Sequence, residues 1–338
     1  MIHIDGSYGE AGGQIIRTAI ALSAVTGKEC RIENIRAGRC NPGLQAQHLT
    51  GVLAVAKLCN AKLKGAEICS KEIEFVPNKI LGGSYSFNVG TAGAIPLVLQ
   101  ALMIPAIHAE KEVKIKITGG TSVRWSPTFY YIQKVTLEIL KKMGYKATLD
   151  LEKHGFYPKG GGLVKAEIMP SSLKPIELLD RGKLLSITGI ITATEDLKKA
   201  QVAERMQKIR VSLFNEFSVN SDIKIDYVNS LSTGCAIDLF AHYENSIIGA
   251  SAIGELRKKA EDVAREAFDF LVKQHKSEAP LDEHSGDQIL PYMALAEGPS
   301  KIKVSHISEH CRTNIWAIEK FLPVKFRIDE KNKIIEKL

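Results

Sequence analysis

Apolar positions along the chain switch between helical and strand periods, and the switching itself repeats. Ile15, Ile16, Ala19, Leu22 and Val25 fall on one face of a helix predicted over Gln14–Thr26. Residues Glu29–Ile35 alternate as a strand does, and the loop Arg36–Gly43 follows. Leu44–Asn60 is helical again, and Ala61–Phe75 reads as a hairpin with Gly65 at its turn. The same order returns with a helix at Ala92–Ile104, a strand at Glu112–Thr118, a loop at Gly119–Pro127, a helix at Thr128–Met143 and hairpin strands at Tyr145–Lys153 and Leu163–Ile168. It returns once more at the C-terminal end: a helix at Leu281–Ala296 despite Pro291, a strand at Lys301–Ile307, a loop at Ser308–Arg312, a helix through Leu322, then hairpin strands at Val324–Ile328 and Lys333–Lys337. Each unit has the apolar positions to bury two helices on a four-stranded sheet.

About a hundred residues between the second and third units break the pattern. Lys183–Ala193, Asp222–Val228, Ala236–Tyr243 and Ser246–Ala250 read as strands, and Leu197–Phe217 and Glu255–Lys276 as helices. Proline-bearing segments, Pro170–Pro175 and Ser277–Pro280, flank this region. The expected fold class is α+β. A large domain of three repeated units, residues 1–178 and 277–338, carries a smaller inserted α/β domain, residues 179–276.

Composition narrows the class. Hydrophobic residues make up 45% of the 338 and charged residues 25%, an ordinary globular balance. A net charge of +7 tilts the expectation towards a polyanionic partner such as nucleic acid or nucleotide, although surface solubility explains it as well. The six cysteines include no CxxC pair, which points to a reduced protein without a zinc site. The start Met1-Ile-His-Ile-Asp-Gly has no signal-peptide pattern, and Thr91–Ile107, interrupted by Gln100, is too short to span a membrane. A cytoplasmic location is expected.

The strand-to-second-helix loops hold Arg36, Arg39, Arg124 and Arg312. Such loops lead into helix N-termini, where free N–H groups and the helix dipole favour anions. Three repeats around a pseudo-threefold axis could bring some of these loops to one cleft. The run His154-Gly-Phe-Tyr-Pro-Lys-Gly-Gly-Gly-Leu-Val164 also invites a phosphate-loop reading. It lacks the Walker order, with no Ser or Thr after Lys159, and its flanking strands make it a hairpin turn.

That run nevertheless resembles the signature of the RNA 3′-terminal phosphate cyclase family. Other segments match in order: Asp5–Arg17, Arg36–Leu44, Gln47-His-Leu49, Gly119-Gly-Thr121, Asp287-Gln288, and His310 followed by Thr313-Asn-Ile315. The resemblance covers the chain from its first residues to its last repeat and is least distinctive in the inserted region. It implies an ATP-dependent enzyme that converts an RNA 3′-phosphate to a 2′,3′-cyclic phosphate. A covalent histidine–AMP and an RNA(3′)pp(5′)A adduct are the intermediates, and AMP and pyrophosphate are released. It also implies a thioredoxin-like topology for the inserted domain.

Carried over residue by residue, the resemblance makes His310 the nucleophile, with His306 the nearest decoy. Asp287 would orient His310 through its other ring nitrogen. Gln100, Pro127, His284, Ser285, Gly286, Asp287 and Gln288 would hold ATP. Glu10 would hold the divalent metal, Mg2+ or Mn2+. Arg17, Arg36 and Arg39 would handle phosphate charge. Bland alternatives exist for several: dipole complementation for Glu10, an ion pair for Arg17, a helix-start proline for Pro127 and a satisfied core amide for Gln100. Three positions depart from the family pattern: His284 stands where an aromatic is common, Cys40 for proline and Ser122 for aspartate. Trp125 is a candidate for base stacking, or for packing at a helix start. His154 and Lys159 are candidate substrate-end contacts. The expected partners are ATP and RNA bearing a 3′-phosphate, with no membrane; a homo-oligomer is one option. Two other functions compete. A non-catalytic cyclase-like factor in RNA processing or ribosome assembly would have lost the nucleophile, and an enolpyruvyl transferase would lack the signature run.

Overall fold

The alternating segments pair into four separate four-stranded sheets, in a mixed α+β protein whose computed structural model describes residues 1–338. The first sheet has the order β1-β2-β4-β3, built from β1 (Ile2–Asp5), β2 (Cys30–Glu33), β3 (Lys62–Lys64) and β4 (Ile73–Val76). Helices α1 (Gly13–Thr26) and α2 (Ala46–Leu58) lie between its strands in the chain. The second sheet, β5-β6-β8-β7, comprises β5 (Gly83–Asn88), β6 (Val113–Gly119), β7 (Ala147–Lys153) and β8 (Gly162–Ile168). Between them come α3 (Ile95–Ala106), α4 (Phe129–Tyr131), a π turn at Ile132–Thr136 and α5 (Leu137–Lys142).

After β9 (Glu177–Leu178) the chain builds the sheet β11-β10-β12-β13 from β10 (Leu184–Thr194), β11 (Ser221–Val228), β12 (Cys235–Tyr243) and β13 (Ile247–Ile253). Its helices are α6 (Val202–Gln207), α7 (Ile209–Phe217) and α8 (Ala260–Lys276). The last elements are α9 (Ser285–Leu295), β14 (Ser300–Lys303), α10 (Glu309–Phe321), β15 (Phe326–Asp329) and β16 (Ile334–Lys337), in a sheet of order β15-β16-β14-β9.

Most predicted segments are found within a few residues. The strand that opens each of three sheets is the main addition. β1, β5 and β9 each pair parallel with the next strand, whereas the other pairs in those sheets are antiparallel. β9 is two residues long and lies before β10 in the chain, yet it joins β14 through the pairs Lys301–Glu177 and Ile302–Leu178. The last sheet is therefore interrupted after its first strand, rather than beginning at Leu281. The expected helix over Leu197–Phe217 breaks at Gln201, which takes a left-handed φ of 51° between a 3-10 turn and α6. The helix expected from Leu281 begins at Ser285. Asp282 Oδ1 accepts the backbone N–H groups of His284 (3.0 Å) and Ser285 (2.8 Å) and so caps it.

One apolar core runs through the β1–β4, β5–β8 and β14–β16 sheets and their helices. A second core lies between the β10–β13 sheet and α6–α8. The opposite face of that sheet rests on the larger body: Phe240 and Ile247 belong to the first core, and Gly249 admits Tyr131 and Val135 against the strand. Two buried carboxylates tie this joint. Asp282 also accepts the Tyr131 hydroxyl (2.5 Å) and the Gly249 N–H (3.2 Å). Asp238 Oδ1 accepts the hydroxyls of Thr128 (2.5 Å) and Ser251 (2.6 Å), and its other oxygen has no partner.

Burial pushes the Asp238 carboxyl up from 3.8 to about 6, against the two hydroxyl contacts. An acid with a raised folded pKa takes up a proton on folding. Its stabilising contribution is complete below 3.8 and is lost as pH rises through about 6. Asp238→Asn keeps an acceptor for the two hydroxyls and does not titrate. Its stability relative to the wild type should therefore rise between about pH 4 and about pH 7, by roughly 3 kcal/mol in the limit. Paired thermal melts across that range measure it; a flat difference would show that Asp238 does not titrate there.

Candidate active site

The segment Gly9-Glu10-Ala11-Gly12-Gly13 runs into α1, and no side chain caps that helix. Side chains close in where two of its glycines leave room: a Cβ on Gly12 would fall 3.1 Å from Arg39 Nη2, and one on Gly13 would fall 2.3 Å from His48 Nε2. A cleft of about 1030 Å³ opens beside this turn. Glu10, Arg17, Arg36, Arg39, Gln100, Pro127, His284, Asp287, Gln288 and His310, contributed by α1, α3, α9 and α10 and by the loops before α1, α2, α4 and α9, all line it.

Two of the expected residues do not line it. Ser285 is fully buried, with its hydroxyl donating to the Asp282 carbonyl (3.2 Å), and Gly286 lies against Val304. The glycine-rich hairpin also lies elsewhere. His154 is buried between Tyr130 and Phe156, the Lys159 N–H donates to Ser232 Oγ (3.0 Å), and Gly161 faces Leu231. The run packs the second sheet against the β11–β12 turn. Of the four loop arginines, Arg36 and Arg39 reach the cleft, whereas Arg124 pairs with Glu255 (2.8 Å) and Arg312 with Glu330 (2.6 Å). Arg36 is also a brace, donating from Nη1 to the carbonyls of Asn41 (2.5 Å) and Gly43 (2.9 Å). Trp125 lies on the cleft rim, 90% exposed, so it is no packing residue.

His310 sits in the first turn of α10 and meets α1 and α9 through Gln14. Gln14 Nε2 donates to Asp287 Oδ2 (2.8 Å), which leaves Gln14 Oε1 as an acceptor only. The His310 Nδ1 lies 2.6 Å from that oxygen, so Nδ1 carries the hydrogen. Asp287 thus acts on His310 through Gln14 and not directly. Asn314 secures the frame by donating to the Asp287 carbonyl (2.8 Å) and accepting the Thr18 hydroxyl (2.6 Å). Nε2 faces the cleft, 2.8 Å from Glu10 Oε2. One proton shared between them completes that contact; loss of that proton to solvent leaves Nε2 with its lone pair.

The electrostatics suit a neutral imidazole. Burial lowers His310 to about 4, helped by Arg17, His284 and Arg39. Burial raises Asp287 to about 7 against the pull of Arg17, and lowers Arg17 to about 10 against the pull of Asp287. Burial also raises Glu10. His284 is exposed on the cleft wall and stacks flat on Phe270 of α8, 5.2 Å between centroids and 5° between planes. Gln288 accepts the Thr136 hydroxyl from the π turn (2.7 Å). Sequence reasoning missed Gln14, His48 and Phe270 as lining residues. Gln14 carried a usable signal: with Arg17, it is a polar residue on an otherwise apolar helix start.

A model of the RNA 3′-terminal phosphate cyclase family matches residues 8–328. The chain belongs to that family. The relative from Pyrococcus furiosus, named RNA 3′-terminal phosphate cyclase, is 43% identical over 99% of this chain and 98% of its own. Those from Methanopyrus kandleri (44%, 98% and 96%) and Archaeoglobus fulgidus (40%, 100% and 100%) carry the same name. A solved enolpyruvyl transferase, NikO from Streptomyces tendae, aligns over 50% of this chain and 33% of its own at 13% identity and a TM-score of 0.29, too weak to bear on the fold.

The relay through Gln14 makes a specific prediction. Gln14→Met preserves volume and removes both hydrogen bonds; on the expectation of a covalent histidine–AMP, labelling of the protein by ATP should fall roughly 10- to 100-fold, the usual cost of losing such a partner. Melting should change little. Undiminished labelling would show that Gln14 does not orient His310.

Proposed function

We propose that His310 attacks the α-phosphorus of ATP and passes AMP to an RNA 3′-phosphate. The neighbouring 2′-OH then closes the 2′,3′-cyclic phosphate. The observation that carries this reading is the relay from Asp287 through Gln14 to His310 Nδ1, which leaves Nε2 facing an arginine-lined cleft.

In the first step Nε2 bonds to phosphorus and pyrophosphate departs. The Nδ1–H bond to Gln14 spreads the positive charge that the ring acquires, and that charge keeps AMP on a good leaving group. Arg17 and Arg39 stabilise the negative charge of the departing pyrophosphate. In the second step an RNA phosphate oxygen displaces the imidazole and forms the RNA(3′)pp(5′)A anhydride. In the third, the 2′ oxygen attacks the activated phosphate, AMP leaves and the 2′-OH proton is released. The adenine would lie between Pro127 and His284, and Phe270 backs the His284 ring. Histidine can therefore fill the place that family relatives give to an aromatic residue.

Glu10 fits a divalent cation. Its half-buried carboxylate pairs with Arg39 (3.7 Å) and meets His310 Nε2 (2.8 Å), with the like charge of Glu309 nearby, and Mg2+ needs few protein ligands when phosphate oxygens and water supply the rest. Such an ion would neutralise phosphate charge and draw Glu10 off Nε2. No cluster of three or more metal-binding side chains exists, so a self-sufficient protein site is not part of the reading.

The architecture is read the same way: three repeats, residues 1–178 with 277–338, and an inserted domain, residues 179–276. Support comes from the shared strand order and parallel first pair of three sheets, and from the separate core of the β10–β13 sheet. The order β11-β10-β12-β13, with only β10 and β11 parallel, suits a thioredoxin-like core. No helix is long and apolar enough to cross a membrane.

Incubation with α-labelled ATP and a divalent cation should leave acid-labile, base-stable label on the wild-type protein and none on His310→Ala. Label persisting on His310→Ala would retract the nucleophile. A labelled protein that cyclises no RNA 3′-phosphate would leave adenylylation standing and retract the substrate.

A further inference from the structure

His48 lies on the cleft wall with no part in the steps above. It occupies the first turn of α2 and is 7% exposed. Its Nδ1 accepts the Gln45 backbone N–H (3.2 Å), which closes a capping box and fixes the tautomer. The hydrogen must then be on Nε2. That N–H has no protein partner and points at the start of α1, where Gly13 leaves room for it; a Cβ there would also fall 3.4 Å from Arg17 Nη1. Burial together with Arg17 and Arg36 holds the imidazole far below its ordinary pKa, down to about 3, so it stays neutral.

An N–H donor without a protein partner on a largely buried ring, an uncapped helix N-terminus and a guanidinium thus converge on one spot of the cleft wall. The donor opens on the cleft, so its partner there is solvent or a ligand that displaces it. A carboxylate side chain would be the usual protein answer, and none is placed there. From this convergence we infer that the Nε2–H of His48 and the first-turn N–H groups of α1 together bind a phosphate oxygen. The inference rests on reading the cleft as a phosphate-transfer site, and it assigns His48 a direct contact with substrate. A neutral donor at that place adds a hydrogen bond without adding to the repulsion among Arg17, Arg36 and Arg39. The phosphate can come from the nucleotide or from the RNA end.

Two substitutions separate this role from plain helix capping. In His48→Asn the side-chain oxygen replaces Nδ1 and keeps the cap, and the Nε2 donor is lost. In His48→Gln the amide nitrogen replaces Nε2 and keeps the donor, and the cap is lost. The probes are inorganic pyrophosphate and a short RNA with a 3′-phosphate, each titrated calorimetrically, which needs no turnover. Covalent labelling by ATP and AMP transfer from preformed adenylylated protein to the RNA are measured alongside. His48→Asn should weaken binding of one probe by about tenfold or more, the effect of one hydrogen bond to a charged group, with His48→Gln recovering much of it. Loss of pyrophosphate binding and of labelling assigns the nucleotide as the source. Loss confined to RNA binding and AMP transfer assigns the RNA end. Any pattern in which Asn is no worse than Gln overturns the inference, whatever the melting temperatures. A wild type that binds pyrophosphate and takes no label sinks the proposed function and leaves this site standing, whereas normal binding and labelling with AMP transfer intact in His48→Asn sinks this site alone.

Discussion

The proposed chemistry depends on one short chain of hydrogen bonds, Asp287 to Gln14 to His310. Its members come from α9, α1 and α10, the first helix of the chain and the last two. A glutamine in the middle has a consequence that a directly bonded carboxylate would not. An amide donates at one end and accepts at the other, so while Asp287 accepts from Gln14 Nε2 the Gln14 oxygen faces His310 and Nδ1 carries the hydrogen. This matters because Asp287 is poised near neutrality, at about 7. A direct contact would change character through the physiological range, since a protonated carboxyl could donate and favour the wrong tautomer. The amide places one further hydrogen bond between that change and His310. The other polar contacts of the frame, Asn314 to the Asp287 carbonyl and Thr18 to Asn314, hold the helices in the register the relay needs.

The secondary elements and the recurrence of their order were legible because amphipathic periods survive in helices and strands buried on one face. The short opening strands were not. β9 has two residues and β5 reads Gly-Ser-Tyr-Ser-Phe-Asn, so neither has an apolar run long enough to stand out. Their strand character comes from parallel pairing with β6 and β14, which is tertiary. The break at Gln201 and the late start of α9 were hidden for similar reasons: a left-handed residue and a carboxylate cap are decided by neighbours.

At the site, ten expected residues converge on one cleft, and they were legible through family motifs rather than spacing. Within a motif, sequence cannot tell which side chain faces the ligand. Ser285 and Gly286 stand beside Asp287 in the same stretch, yet a helix turns them into the core. Gln14 stands within a matched segment too, but its link to residues almost three hundred positions away is visible only once the helices are packed.

The glycine-rich run identifies the family while standing apart from the cleft, and the joint it helps to form explains how both facts hold. The hairpin presses on the β11–β12 turn: Ser230 donates to the His154 carbonyl (3.2 Å), and Gly234 is packed on Phe156. The strands beyond that turn reach the cleft walls. Asp238 on β12 bonds Thr128, the residue after Pro127, and Gly249 on β13 bonds Asp282, two residues before His284. Both residues proposed to face the adenine are therefore held from the same sheet, through one buried carboxylate each. A side chain at Gly161 would collide with Leu231, 2.4 Å from its Cβ, and its φ of 74° is one that only glycine adopts without strain. Displacing the turn there would move Asp238 and β13 with it. The glycines thus help to set where the β10–β13 sheet sits against the residues proposed to face the adenine.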